Sequence, residues 1–500
     1  MDRPTVHMLS VQEKGETRKS TQYLAAVAAA IAAVAAGTIL AWTSPALPQL
    51  EPCNNATTDP NALNCTAAAI KALNGTNGTV LINKNGQPAE FLFDATQSGL
   101  VSSILAIGAA ISALPVGIIA QKIGRRPTIL MLALPFMLNW LLTIFANGVG
   151  MLLAARFFAG LATGGACVAA PMYIGEIAET SIRGSLGAFF QLFLTVGILM
   201  TFTVGSYTHW QTLSIISAVF PVLLVAVFWW MPETPQYLLS KNRKRDAERS
   251  LRWLRGPDAD LSAELEEMQK DVDDASRERA GVLALVTNKA PRTALICGLG
   301  LMFFQQFSGI NAVIFYTDSI FRSAGSQIPS HIATIIVGVV QTLATIVSSL
   351  LVEKAGRKIL LLQSCIIMGI CLIVLGIFFK LKDSGYEVLS VGWLPLVCLV
   401  LFITSFSMGF GPIPWMMMAE LFPVEFRGTA TGLTVIANWI LVFVVTLCFP
   451  ILQTALGIHV CFWFFAAIMI ACIFFVLFLV PETKGKTVSQ IQAILGGKSL

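Results

Sequence analysis

Long apolar runs recur along this chain, separated by short polar breaks, and the pattern predicts twelve membrane-crossing helices. A helix needs roughly 20 apolar residues to cross a bilayer. Runs of that length fall near 22–48, 94–121, 127–147, 150–176, 184–206, 210–231, 291–321, 328–353, 358–380, 391–419, 428–454 and 457–480. Helices follow from the solvent, because backbone groups in lipid must be satisfied within their own segment. The first run, Tyr23 to Pro48, is longer than the roughly 7–15 apolar residues of a cleavable signal. A polar stretch with Lys14, Arg18 and Lys19 precedes it, so it reads as a signal-anchor span behind a cytosolic tail.

Composition agrees with the pattern. Of 500 residues, 55% are hydrophobic and 12% charged, and the mean hydropathy is +0.74. A soluble domain carries about 25% charged residues, so a water-soluble globule is excluded. Lys and Arg set the orientation. With the N-terminus inside, the inner segments hold 27 of the 33, the outer loops hold five, and Arg156 lies within a span. That asymmetry predicts both termini on the cytoplasmic side of the plasma membrane. The outer loop 51–93 carries four N-x-T sequons, at Asn55, Asn64, Asn74 and Asn77, which predict glycosylation on that face. It also holds Cys53 and Cys65. An oxidising compartment allows a disulfide between them, with two free thiols as the alternative.

The chain also repeats itself. Lys122-Ile-Gly-Arg-Arg126 matches Lys354-Ala-Gly-Arg-Lys358. Glu176 with Arg183 matches Glu420 with Arg427, each Arg seven positions after its Glu, and Pro232-Glu-Thr234 matches Pro481-Glu-Thr483. In each half these segments follow the second, fourth and sixth spans. A parallel duplication of six spans is typical of secondary transporters. The predicted organisation is a tail 1–21, a six-helix bundle 22–231, a cytosolic linker 232–290, a second bundle 291–480 and a tail 481–500. The linker is basic over 241–255 and acidic over 258–274, and Leu261, Leu265 and Met268 predict short amphipathic helices.

At these motifs the chain resembles the major facilitator superfamily, sugar porter family. The resemblance covers nearly its whole length. Its most specific parts are Gln305-Gln-Phe-Ser-Gly-Ile-Asn311, Gly411-Pro-Ile-Pro-Trp415, Pro232-Glu-Thr-Pro235 and Pro481-Glu-Thr-Lys-Gly485. Within the family it is similar to facilitative hexose transporters. The stretch Trp42-Thr-Ser-Pro-Ala-Leu-Pro48 most resembles insect facilitated trehalose transporters. The resemblance implies an all-α membrane protein of two six-helix bundles with a central sugar site, open alternately to each side. It implies substrate contacts at Gln191, Gln305, Gln306, Asn311, Phe315, Tyr316, Gln341, Trp415, Asn438 and Trp439. Several positions depart from the family pattern. Phe315 stands where a tyrosine is common, and Gln341 where an asparagine is. Met302-Phe303-Phe304 replaces a Gln-Leu-Ser associated with glucose preference, and Gly409-Phe-Gly-Pro412 replaces Gly-Pro-Gly-Pro. These departures weaken a preference for glucose, not sugar transport itself.

The residues alone point the same way. A carrier must replace a sugar's water with hydrogen bonds and then release it. Neutral amides offer donors and acceptors together, and aromatic rings suit the apolar faces. Polar side chains are costly inside apolar spans and tend to face a cavity. The alternative is that such amides merely join helices, and that Trp415 and Trp439 belong to the interfacial aromatic belt. Geometry adds a condition. At about 100° per residue, an unbroken helix cannot aim Gln305, Asn311 and Tyr316 at one ligand. A break at Ser308-Gly309 is therefore expected, and another near Gly411, Pro412 and Pro414.

Charged residues at the inner span ends form the second candidate set: Arg125, Arg126, Glu176, Arg183, Glu233, Arg357, Glu420, Arg427 and Glu482. Cross-bundle ion pairs among them are expected to latch the inner side; charge that only sets topology is the alternative. No Asp or Glu falls in the middle third of a span. Proton-coupled relatives carry an acid in the first span, where this chain has Thr43. Uniport is the expected mode, with proton symport, a non-transporting sugar sensor and a carrier of another polyol as alternatives. No P-loop, metal-spaced His/Cys cluster or catalytic triad is present, so no enzyme, cofactor, metal or nucleic-acid partner is expected. The expected partners are a sugar and the bilayer; the oligomeric state stays open, and a monomer suffices.

Overall fold

The computed structural model describes residues 18–51, 93–179, 181–257, 259–277, 282–325, 328–422, 424–486 and 488–496. The four sequons and the Cys53–Cys65 pair lie outside the described residues. Twelve helices among them are long and apolar enough to cross a membrane. They are Ser20–Leu50, Ala95–Ile123, Arg125–Ile144, Val149–Ile177, Arg183–Gly205, Trp210–Phe228, Lys289–Ala324, Ser330–Val352, Arg357–Asp383, Leu394–Met418, Thr429–Leu456 and Ile458–Phe478. These are called the first to twelfth spans. Six precede the linker and six follow it. The linker side is here the linker face, and the opposite side, which carries 51–93, the loop face.

Small residues let the spans approach closely, as expected where lipid supplies no hydrophobic drive between helices. A Cβ on Gly37 of the first span would sit 2.1 Å from the Leu194 carbonyl of the fifth, and one on Gly197 would sit 2.3 Å from the Val34 carbonyl. The first span is an alanine-rich stretch with a mostly buried surface. It continues through Trp42, which keeps helical dihedrals, into the segment Thr43–Leu50 containing Pro45 and Pro48.

Two spans are broken where the sequence predicts. The seventh consists of Lys289–Phe307 and Ile310–Ala324, with Gly309 at φ +86° between them. It bends again at Tyr316, whose φ of −122° and ψ of 20° are not helical. The tenth consists of Leu394–Met408 and Ile413–Leu421, separated at Gly409 to Pro412.

The linker forms helices Pro235–Ser240, Lys244–Arg255, Ser262–Arg277 and Val282–Thr287. Leu265 and Met268 pack on Tyr237, Leu238 and Leu239, as their spacing predicts. The linker also docks on the first half. The fully buried Arg255 side chain pairs with Glu264 at 2.6 Å and donates to the Ile177 carbonyl, at the end of the fourth span, at 2.9 Å.

Candidate functional site

The break in the seventh span brings the amides together. Gln305 is 3% exposed. Its Nε2 donates to the Phe410 carbonyl at 2.7 Å and the Gly411 carbonyl at 3.2 Å. Those carbonyls are freed by the break in the tenth span. Gln305 Oε1 accepts from Asn438 Nδ2 of the eleventh span at 3.0 Å and from Gln306 Nε2 at 3.3 Å. Gln306 Oε1 in turn accepts from Asn311 Nδ2 beyond the break. Four neutral amides on three helices thus form one hydrogen-bonded chain, anchored to an irregular backbone. Ser308 Oγ donates to the Gln305 carbonyl at 2.7 Å and helps end the helix there.

The other predicted residues take separate positions. Tyr316 donates its hydroxyl to the Thr446 carbonyl at 3.0 Å, and its ring lies 5.4 Å from that of Phe449. Phe315 is fully buried. Gln341 and Trp439 are buried, and Gln341 Oε1 and Trp439 Nε1 have no hydrogen-bond partner among the described residues. Buried polar atoms of this kind are uncommon, and a ligand hydroxyl is one group that satisfies them. Gln191 is half-buried, and Trp415 is exposed on the stretch after the tenth-span break.

Two hydroxyls outside the predicted substrate and charge sets join the halves at the loop face. Thr43 Oγ1 donates to the Phe315 carbonyl at 3.1 Å, which the kink at Tyr316 leaves available. The Asp318 N–H donates to Ser44 Oγ at 3.2 Å. Arg156 is 1% exposed, donates to the Ile39 carbonyl at 2.9 Å and the Val101 carbonyl at 3.2 Å, and lies 5.7 Å from the Trp42 ring. It ties the first, second and fourth spans together.

The repeated charged motifs converge at the linker face, but not across the halves. In the first half Arg125 pairs with Glu176 at 2.7 Å, and Glu176 also accepts from Thr234 Oγ1 at 2.6 Å. Glu233 accepts the backbone N–H groups of Arg125 and Arg126, at 3.1 Å and 3.2 Å. The second half repeats this. Arg357 pairs with Glu420 at 2.8 Å, Thr483 donates to Glu420, and Glu482 accepts from the Arg357 and Lys358 amides, both at 3.0 Å. Gly124 and Gly356, at φ +111° and +90°, make the turns against these carboxylates. A Cβ there would fall 2.2 Å from Glu233 Oε2 and 2.9 Å from Glu482 Oε2.

The expected cross-bundle latch is thus corrected: each set of ion pairs stays within its own half, fastening the start of the third or ninth span to the end of the fourth or tenth and to the segment after the sixth or twelfth. Spacing in the sequence could not distinguish the two arrangements, because each motif occurs in both halves. Arg126 instead lies over the Trp229 ring, and exposed Arg183 donates to the Ala178 carbonyl at 3.4 Å. The side chain of Arg427 lies outside the described residues. The two equivalent carboxylates differ electrostatically. Burial holds Glu233 above the usual carboxylate range despite its N–H donors. Burial also acts on Glu482, but backbone N–H groups of Lys484, Arg357, Lys358 and Thr483 outweigh it and hold that carboxyl below the usual range.

Comparison with known proteins follows the same lines. Residues 61–495 match the family described as sugar (and other) transporter. The chain is 40% identical over 484 residues to a facilitated trehalose transporter, Tret1-1, of Drosophila sechellia, covering 96% of this chain and 52% of that protein. The chain spans about half the length of the curated relatives it matches. Among solved structures it resembles the E. coli xylose transporter XylE in a partially occluded, inward-open conformation, with a TM-score of 0.74 and 22% identity. That match covers 94% of this chain and 100% of the other. The XylE proton:xylose symporter bound to 6-bromo-6-deoxy-D-glucose gives a TM-score of 0.71 at 23% identity, covering 95% and 99%.

Proposed function

The chain belongs to the sugar (and other) transporter family, and from that membership we propose that it is a facilitative carrier of trehalose or a hexose. The amide chain of Gln305, Gln306, Asn311 and Asn438 is the observation that carries the reading. It presents neutral donors and acceptors at a broken helix of the second bundle, and a sugar exchanges its water for such groups without a net charge being moved. Gln341 Oε1 and Trp439 Nε1 supply further polar atoms in need of partners. Gln191, Phe315, Tyr316 and Trp415 complete the proposed substrate set. The identity with trehalose transporters favours trehalose as the first substrate to test.

Alternating access follows from the bonds between the halves. Thr43 and Ser44 join the halves at the loop face through Phe315 and Asp318, and these two hydrogen bonds break when that face opens. The linker-face clusters keep each six-helix half rigid while the halves rock, which is the role proposed for Arg125, Glu176, Glu233, Arg357, Glu420 and Glu482. Uniport is supported by Thr43: a hydroxyl holding a carbonyl has no proton to exchange near neutral pH. The test is uptake of labelled trehalose, glucose and fructose by oocytes expressing the chain at the plasma membrane, with and without an inward proton gradient. Saturable equilibration indifferent to the gradient is expected. Accumulation above equilibrium would establish symport instead.

A further inference from the structure

A cavity of about 240 Å³ lies between the halves at the loop face. The first half contributes Gln49, Tyr207 and His209, and the second contributes Asp318, Arg322 and His331. None of the four chained amides lines it. Asp318 is 5% exposed. Its Oδ2 accepts from Arg322 Nε at 2.6 Å, whereas its buried Oδ1 has no hydrogen-bond partner among the described residues. An unsatisfied buried carboxylate oxygen is costly, so a hydrogen-bond donor in the cavity favours turning the carboxylate toward it.

We propose that this cavity is a second carbohydrate subsite, in which the Asp318 carboxylate turns to accept hydrogen bonds from the hydroxyls of one pyranose ring. The proposal rests on the reading that the chain carries sugar. An ionised carboxylate is an acceptor with several lone pairs, which suits adjacent hydroxyls. Arg322 balances its charge, so the pair favours a neutral solute over an ion. The Tyr207 and His331 rings, 5.8 Å apart, come from opposite halves and offer flat faces to C–H groups. The volume is below the roughly 300–1,000 Å³ of pockets that enclose drug-sized ligands, so one ring fits and the second ring of a disaccharide stays outside. The cavity exists while the Thr43 and Ser44 bonds hold the seam shut beside it. It therefore receives sugar at the mouth before the seam opens.

Equilibrium binding of labelled trehalose, and separately of labelled glucose, to the purified full-length protein tests this. The wild-type chain is expected to bind two equivalents, and Asp318→Ala one. Thr334→Phe, which fills the cavity and leaves the Asp318–Arg322 pair in place, is also expected to bind one. Gln305→Leu removes the other equivalent and keeps this one. Each variant is compared with wild type by melting temperature, so loss of folding is distinguished from loss of a site. A single wild-type equivalent that only Gln305→Leu abolishes would overturn the subsite, leaving the cavity to water, and would spare the transport reading. No bound sugar in any chain would overturn both.

Discussion

Replacing Gln305 with leucine tests whether the amide chain both shapes the site and grips the sugar. Leucine keeps most of the volume but leaves the Phe410 and Gly411 carbonyls without their donor and Asn438 without Gln305 Oε1. Interhelical hydrogen bonds in membranes average about 0.6 kcal/mol, with a maximum near 1.7. The bonds of 2.7 Å and 3.0 Å therefore supply about 1–3 kcal/mol of structural support. A lost contact to substrate adds about 0.5–1.5 kcal/mol. If about 2–4 kcal/mol of the total appears in transport, kcat/KM falls by about 30- to 1,000-fold, at 1.36 kcal/mol per factor of ten. The assay is initial uptake of labelled sugar, normalised to protein at the surface. Asn438→Leu and the double variant complete a cycle. Because the two residues share a bond, the double variant loses less than the sum of the singles. A kcat/KM within threefold of wild type, or strictly additive losses, would refute the reasoning.

Thr43→Val removes one bond across the loop-face seam; at about 1 kcal/mol it shifts the populations about fivefold toward the loop-open state, read as spin-label distances between the two halves, and unchanged distances would count against the latch. Gly309→Ala places a Cβ 2.7 Å from Phe465 Cδ2 at a φ of +86°, costing about 1–2 kcal/mol for the left-handed backbone alone; a lower melting temperature and reduced uptake are expected, and wild-type melting would contradict the need for this break. The carboxyls of Glu482 and Glu233 predict opposite pH effects. The depressed Glu482 contributes stability above its unfolded pKa and loses it as pH falls through its folded value, whereas the raised Glu233 contributes at low pH and loses that contribution as pH rises through its folded value. Glu482→Gln should therefore lower the melting temperature at neutral pH more than Glu233→Gln does, with the gap closing on acidification; equal shifts at every pH would show that the difference is absent.

The membrane frame was readable because lipid demands long, uninterrupted apolar helices, whose ends fall within a few residues of those observed. The run near 94–121 is the helix Ala95–Ile123, and that near 358–380 is Arg357–Asp383. The breaks were readable because glycine and proline act locally, at Gly309 and from Gly409 to Pro412. Gln305, Gln306, Asn311 and Asn438 were marked by their polarity inside apolar spans, and the structure joins them. Gln341 was marked by the same signal but lies outside that chain of bonds. Partner choice was not readable. Glu176 and Glu420 each have an arginine in both halves to pair with, and only the packing of the third span against the fourth in each half selects Arg125 and Arg357. The bonds that Thr43 and Ser44 make across the halves gave no signal, because their acceptor and donor are backbone groups of a helix 272 or more positions away.

Counterflow by the purified protein in liposomes tests the central claim most directly. Vesicles loaded with unlabelled trehalose are diluted into a trace of labelled trehalose, with no proton or voltage gradient. A uniporter that exposes one site alternately to each face predicts a transient overshoot of label inside, followed by decay to equilibrium, unchanged by a protonophore and lost in Gln305→Leu. A wild-type protein that binds sugar without overshoot would be a sensor and not a carrier, and an overshoot that requires a proton gradient would contradict uniport.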